Sequence, residues 1–73
     1  MDVKVYAIEG CPYCKGALEL LKVKGIKPDV KIMTLGTRAS EELKEYTGQK
    51  TYPQIFINSM FIGGFSDLKM IKL

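Results

Sequence analysis

The segment Gly10-Cys11-Pro12-Tyr13-Cys14-Lys15 holds both cysteines of a 73-residue chain, with two residues between them. Thiols at that spacing can exchange with a disulfide, supply half of a metal site, or close a disulfide staple. A staple between such near neighbours stabilises little, because the gain from loop closure grows with loop length. A zinc site needs about four ligands, and the chain has no histidine and no second cysteine pair. Lack of histidine also argues against a histidine-activated cysteine hydrolase. Disulfide exchange fits best: one thiolate attacks a disulfide sulfur, and a neighbouring thiol resolves the mixed disulfide.

The flanking sequence shows how the two sulfurs would be held. Val3 to Ile8 is rich in β-branched and aromatic residues and reads as a first strand. Its almost continuous apolar run predicts an interior strand covered on both faces. Gly10 breaks it, and Pro12 suits the first position of a helix, where its missing N–H is no loss. Cys14, Ala17, Leu18 and Leu21 recur at helical spacing and define one inward face. Lys22 and Lys24 suit the last turn, Gly25 the position just past it, and Pro28 lies beyond. Cys11 therefore falls at the N-cap, where free N–H groups and the helix dipole favour the thiolate. Cys14, one turn on, is expected to be buried and protonated.

The rest of the chain completes a small mixed sheet. Val30 to Leu35 reads as a second strand, and Thr37 or Ser40 caps a second helix with Glu41 and Glu42 near its start, Gly48 at its end and an apolar stripe of Ala39, Leu43 and Tyr46. Gln54 to Ile57 and Met60 to Ile62, joined by Asn58-Ser59, form a hairpin. Gly63-Gly64 interrupts the chain before a last short helix, capped near Ser66, that carries Leu68 and Ile71. The order βαβαββα predicts an α/β fold of one domain over residues 1–73, with the first two strands parallel through a right-handed crossover.

Composition narrows the setting. The net charge is +3 and the pI about 8.9. Lys22, Lys24, Lys27 and Lys31 make a loose basic stretch without the interleaved aromatics that nucleic-acid binding favours, so a solvated surface that mildly attracts anions is expected. No leader segment is visible at the start, and no run reaches the roughly 18 apolar residues of a membrane span. A cytoplasmic monomer is the expectation, and in that compartment a close dithiol is more often catalytic or metal-binding than structural.

Cys11-Pro12-Tyr13-Cys14, Thr51-Tyr52-Pro53 and Gly63-Gly64-Phe65-Ser66-Asp67-Leu68 together resemble the three signature stretches of dithiol glutaredoxins. The resemblance covers nearly the whole chain. It implies a thioredoxin-like fold, a four-stranded mixed sheet flanked by helices, and thiol–disulfide exchange with glutathione as reducing co-substrate and no metal. Cys11 would be the nucleophile, Cys14 the resolving thiol, and Pro53 a cis proline. Tyr13 would flank glutathione, and the Tyr52 backbone beside Thr51 and Pro53 would pair with its cysteinyl part. Gly64 and Phe65 would line the approach, Ser66 and Asp67 would take the γ-glutamyl end through their N–H groups, and the Asp67 carboxylate would meet the α-amino group. Gln49 or Lys50 would meet the glycyl carboxylate.

Four features depart from that family pattern: Ile8 stands where a lysine is common, Tyr52 replaces a valine, Phe65 replaces a frequent third cysteine, and the chain stops at Leu73. Trimmed forms of this kind resemble virus-encoded glutaredoxins. Disulfide-bearing proteins, with ribonucleotide reductase as a family-typical recipient, are the expected partners. The alternatives are a glutaredoxin-like redoxin reduced by thioredoxin reductase, which Ile8 and Phe65 favour, and a dimeric module holding an iron–sulfur cluster through Cys11 and glutathione.

Overall fold

The computed structural model describes all residues, 1–73. The elements are β1 (Val3–Ile8), α1 (Pro12–Val23), β2 (Asp29–Met33), α2 (Arg38–Thr47), β3 (Gln54–Ile57), β4 (Met60–Gly63) and α3 (Phe65–Met70). One four-stranded sheet is ordered β2-β1-β3-β4. β1 runs parallel to β2 and antiparallel to β3, and β3 and β4 form an antiparallel hairpin. Asn58 and Ser59 both take positive φ, 50° and 69°, as a two-residue turn of the hairpin-compatible hand requires.

The core lies on one side of the sheet. Val3, Val5 and Ala7 of β1, Ile55 of β3, Cys14, Ala17 and Leu21 of α1, and Leu68 of α3 are all buried there. Burial of apolar surface at roughly 25 cal/mol per Å² makes this layer the main stabilising contribution. β1 is the interior strand expected, and it alternates buried and half-buried residues, so its cover is full on one face and partial on the other. Lys4 and Tyr6 face the side where α2 lies, and α2 is thin. Of its expected stripe, Ala39 is exposed and Leu43 half-buried. Tyr46 is 77% exposed, stacked on Phe56 with ring centroids 6.2 Å apart. Ser40 is the buried residue of this helix.

Three boundaries also move. β2 stops at Met33, the partner of Ile8, because β1 ends there and offers no further ladder; Leu35 lies exposed beyond it. Gly64 takes the N-cap of α3, and its N–H donates to Asp67 Oδ2 at 2.9 Å. Ile71 sits just past the last turn. The remaining caps follow the sequence: the Thr37 hydroxyl accepts the Ser40 N–H at 3.3 Å, and Gly48 closes α2 in a left-handed conformation with φ 75°.

Candidate active site

Cys11 occupies the junction between β1 and α1. Gly10 turns the chain with φ +73°, Cys11 itself stays extended as N-cap, and Pro12 opens the helix. The Cys14 N–H therefore points at Cys11 Sγ, 3.2 Å away. Cys11 Sγ also lies 3.7 Å from the carbonyl oxygen of Tyr52, to which its thiol donates. The two sulfurs are unpaired and differ in setting: Cys11 is partly exposed and Cys14 buried. Burial, followed by the interaction with Cys11, pushes the Cys14 thiol from 9.0 up to about 11. A sulfur reachable from solvent and a proton-bearing sulfur one turn behind it can make and then resolve a mixed disulfide.

The Tyr52–Pro53 peptide is cis, and the Thr51-Tyr52-Pro53 stretch meets the start of α1 where the Tyr52 carbonyl faces Cys11 Sγ. A groove of about 480 Å³ opens beside it, lined by Tyr13, Gln49, Thr51, Tyr52, Pro53, Gly64, Phe65, Ser66 and Asp67. The structure thus brings together nine of the ten residues expected around the dithiol. Lys50 is exposed and outside that lining. The Gln49 amide is engaged at home, donating to the carbonyls of Thr51 at 3.1 Å and Pro53 at 3.3 Å. The Tyr52 side chain turns into the core; burial, and secondarily the charge of Glu41, raise its phenol above the usual tyrosine value. Its backbone, not its ring, faces Cys11. No three histidine, cysteine or acidic side chains converge as a metal site.

The family model described as Glutaredoxin matches residues 3–62. The chain belongs to the glutaredoxin family. It is 39% identical over 67 residues to glutaredoxin 3 of Escherichia coli strain K12, covering 92% of this chain and 81% of that protein. The solution structure of a glutaredoxin from Brucella melitensis superposes with a TM-score of 0.81 at 39% identity, over 94% of this chain and 75% of that one. A buckwheat glutaredoxin–glutathione complex superposes with a TM-score of 0.81 at 25% identity, over 89% of this chain and 62% of that one. As a glutaredoxin the chain is a thiol–disulfide oxidoreductase with a thioredoxin-like fold.

Two residues of this glutaredoxin escaped the sequence reading of its site. Gln54 is fully buried. Its amide nitrogen donates to the carbonyls of Gln49 and Thr51, and its Oε1 lies 2.8 Å from the Thr47 hydroxyl. It pins the segment between α2 and β3 that carries Tyr52 to Cys11. The available signal was a polar residue opening an otherwise apolar strand, Gln-Ile-Phe-Ile. Gly16 is the second. A Cβ there would meet the Phe65 ring at 2.9 Å, so the missing side chain seats that ring against α1. A glycine inside a helix costs roughly 1 kcal/mol against alanine and signals a close approach. Phe65 then stands 6.4 Å from Tyr13 between ring centroids, with Lys69 Nζ 4.8 Å from its own centroid.

Proposed function

We propose that the chain is a glutathione-dependent oxidoreductase that reduces protein disulfides and glutathione mixed disulfides by dithiol exchange. The Cys11 thiolate attacks a disulfide sulfur, forms a mixed disulfide and releases a thiolate that takes up a proton. Cys14 gives up its proton, attacks Cys11 Sγ and expels the second thiol, leaving the Cys11–Cys14 disulfide. One glutathione thiolate then opens that disulfide and a second releases glutathione disulfide, which restores the dithiol. The Cys14 N–H held on Cys11 Sγ stabilises negative charge on the sulfur that must attack and later leave.

The observation that carries the reading is the groove beside Cys11. An extended tripeptide fits along the backbone of Thr51 and Tyr52 as an added strand would. The first-turn N–H groups of Ser66 and Asp67 precede the first helical bond, from Leu68 to Gly64 at 3.0 Å, and suit a carboxylate. Tyr13, Phe65 and the Asp67 carboxylate would enclose the rest. Glutathione bound to the buckwheat relative supports the same use here. The setting proposed is cytoplasmic and the form monomeric, with disulfide-bearing proteins such as ribonucleotide reductase as recipients.

Against it stands recycling by thioredoxin reductase, because no lysine or arginine lines the groove to meet the second carboxylate of glutathione. Turnover with glutathione and glutathione reductase, run beside turnover with thioredoxin reductase, separates the two. Rapid recycling in the first assay only is expected. Recycling in the second only would replace glutathione with thioredoxin reductase as the electron source.

A further inference from the structure

A second recess opens on the dithiol and shares no lining residue with the groove just described. It measures about 430 Å³ and is bordered by Cys11, Cys14, Ile8, Leu18, Ile32 and Lys15, among others. A further recess of about 510 Å³ continues from it through Leu18 to Ile26 and Val30, with Lys22 and Lys27 at its margin. Together they form one track between α1 and β2. At 1.5 Å per residue, the helix from Cys11 to Lys22 spans roughly 16 Å, about five residues of extended chain.

The track is open because β2 is an edge strand, paired only with β1. Val30 and Ile32 stand in register with Val5 and Ala7, which are buried, yet are themselves 39% and 53% exposed. Its floor is apolar. Its charges, Lys15, Lys22 and Lys27, are all positive, and no acidic residue lines either recess. The outer edge of β2 also offers N–H and C=O groups to an incoming strand.

We infer that this α1–β2 track binds the polypeptide that carries the target disulfide, selecting an extended segment with apolar side chains flanked by acidic residues. This rests on the exchange chemistry proposed above and names its protein substrate class. The reason for a polypeptide occupant is position: the track begins at the attacking sulfur, where a disulfide must be presented. The lysine margin supplies the preference for acidic partners and disfavours a second copy of this cationic chain. In the step itself the peptide disulfide takes two electrons and two protons from Cys11 and Cys14, giving two peptide thiols and the protein disulfide.

The test uses pre-reduced protein in a single turnover without glutathione, so that failure of glutathione recycling cannot mimic failure of the track. The probes are two disulfide-linked peptides with the same apolar five-residue arm, flanked by glutamates in one and lysines in the other, together with 2-hydroxyethyl disulfide. Wild-type protein should reduce the acidic peptide about tenfold faster at low salt, with the preference fading as salt rises. Lys22→Glu/Lys27→Glu should reverse the preference and leave the small disulfide within about twofold. Lys44→Glu/Lys72→Glu, an equal charge change elsewhere, should keep it. Ile32→Ser should slow both peptides. Equal wild-type rates for the two peptides would overturn the inference, as would equal effects of the two charge reversals. A dimer in sedimentation that Ile32→Ser dissociates would also overturn it, because a second copy would then cover the track.

Discussion

Replacing Gln54 with leucine keeps the shape of a fully buried side chain and deletes its polar end. The Gln49 carbonyl loses its amide donor, the Thr51 carbonyl keeps only that of Gln49, and the Thr47 hydroxyl loses its contact with Oε1. A hydrogen bond contributes about 1 kcal/mol net, and a stranded buried partner costs about 1–3 kcal/mol. Better burial of leucine offsets part of this, so Gln54→Leu should lose about 2–4 kcal/mol. A chain of this size has a total stability on the order of 4–11 kcal/mol, so the variant should melt on the order of 10–30 °C lower. Urea unfolding followed by circular dichroism measures the loss. At a temperature where the variant is still folded, exchange with a glutathione mixed disulfide should also slow, because Tyr52 is no longer pinned against Cys11. Stability within about 0.5 kcal/mol of wild type would refute the claim that Gln54 holds this segment.

Two further outcomes follow from neighbouring residues. The Cys14 thiol is raised from 9.0 to about 11, so between those pH values the unfolded chain loses this proton before the folded one. Its share of stability is fully present below pH 9 and is lost as pH rises to about 11, a total on the order of 2 kcal/mol; Cys14→Ala should lack that part of the alkaline slope, and parallel urea midpoints for both proteins would contradict the shift. Gly16→Ala offers about 1 kcal/mol of helix propensity but drives a methyl into the Phe65 ring. It should be neutral or destabilising in the wild type and stabilising by about 1 kcal/mol in a Phe65→Leu background, and additive effects in that cycle would show that the two residues do not share space.

Much of the fold was legible because its signals are local. Pro12 after Cys11, the Cys14-Ala17-Leu21 face, Gly48 past α2 and Asn58-Ser59 between two apolar runs each specify geometry within a few residues. The misread features depend on distant partners. β2 ends at Met33 because β1 ends at Ile8, and apolar Tyr6 stays only half-buried because α2 is too short and polar to cover it. The dithiol, the cis-proline stretch and the start of α3 were readable as three motifs, and the structure sets the last two, with Tyr13, around one groove beside the dithiol. Lys50 fell outside it, since alternation along a surface loop does not reveal which side chain turns inward. Gln54 and Gly16 act by pinning and by making room, roles that residue type alone does not announce.

The central claim is that Cys11 attacks and Cys14 resolves, and single-cysteine variants test it most directly. Cys11→Ser and Cys14→Ser are each given a glutathionylated peptide and a peptide with an internal disulfide, with glutathione and glutathione reductase as the electron source. Cys11→Ser should be inactive on both, and Cys14→Ser should still release glutathione from the first substrate while losing the dithiol route to the second. An active Cys11→Ser beside an inert Cys14→Ser would contradict the assignment.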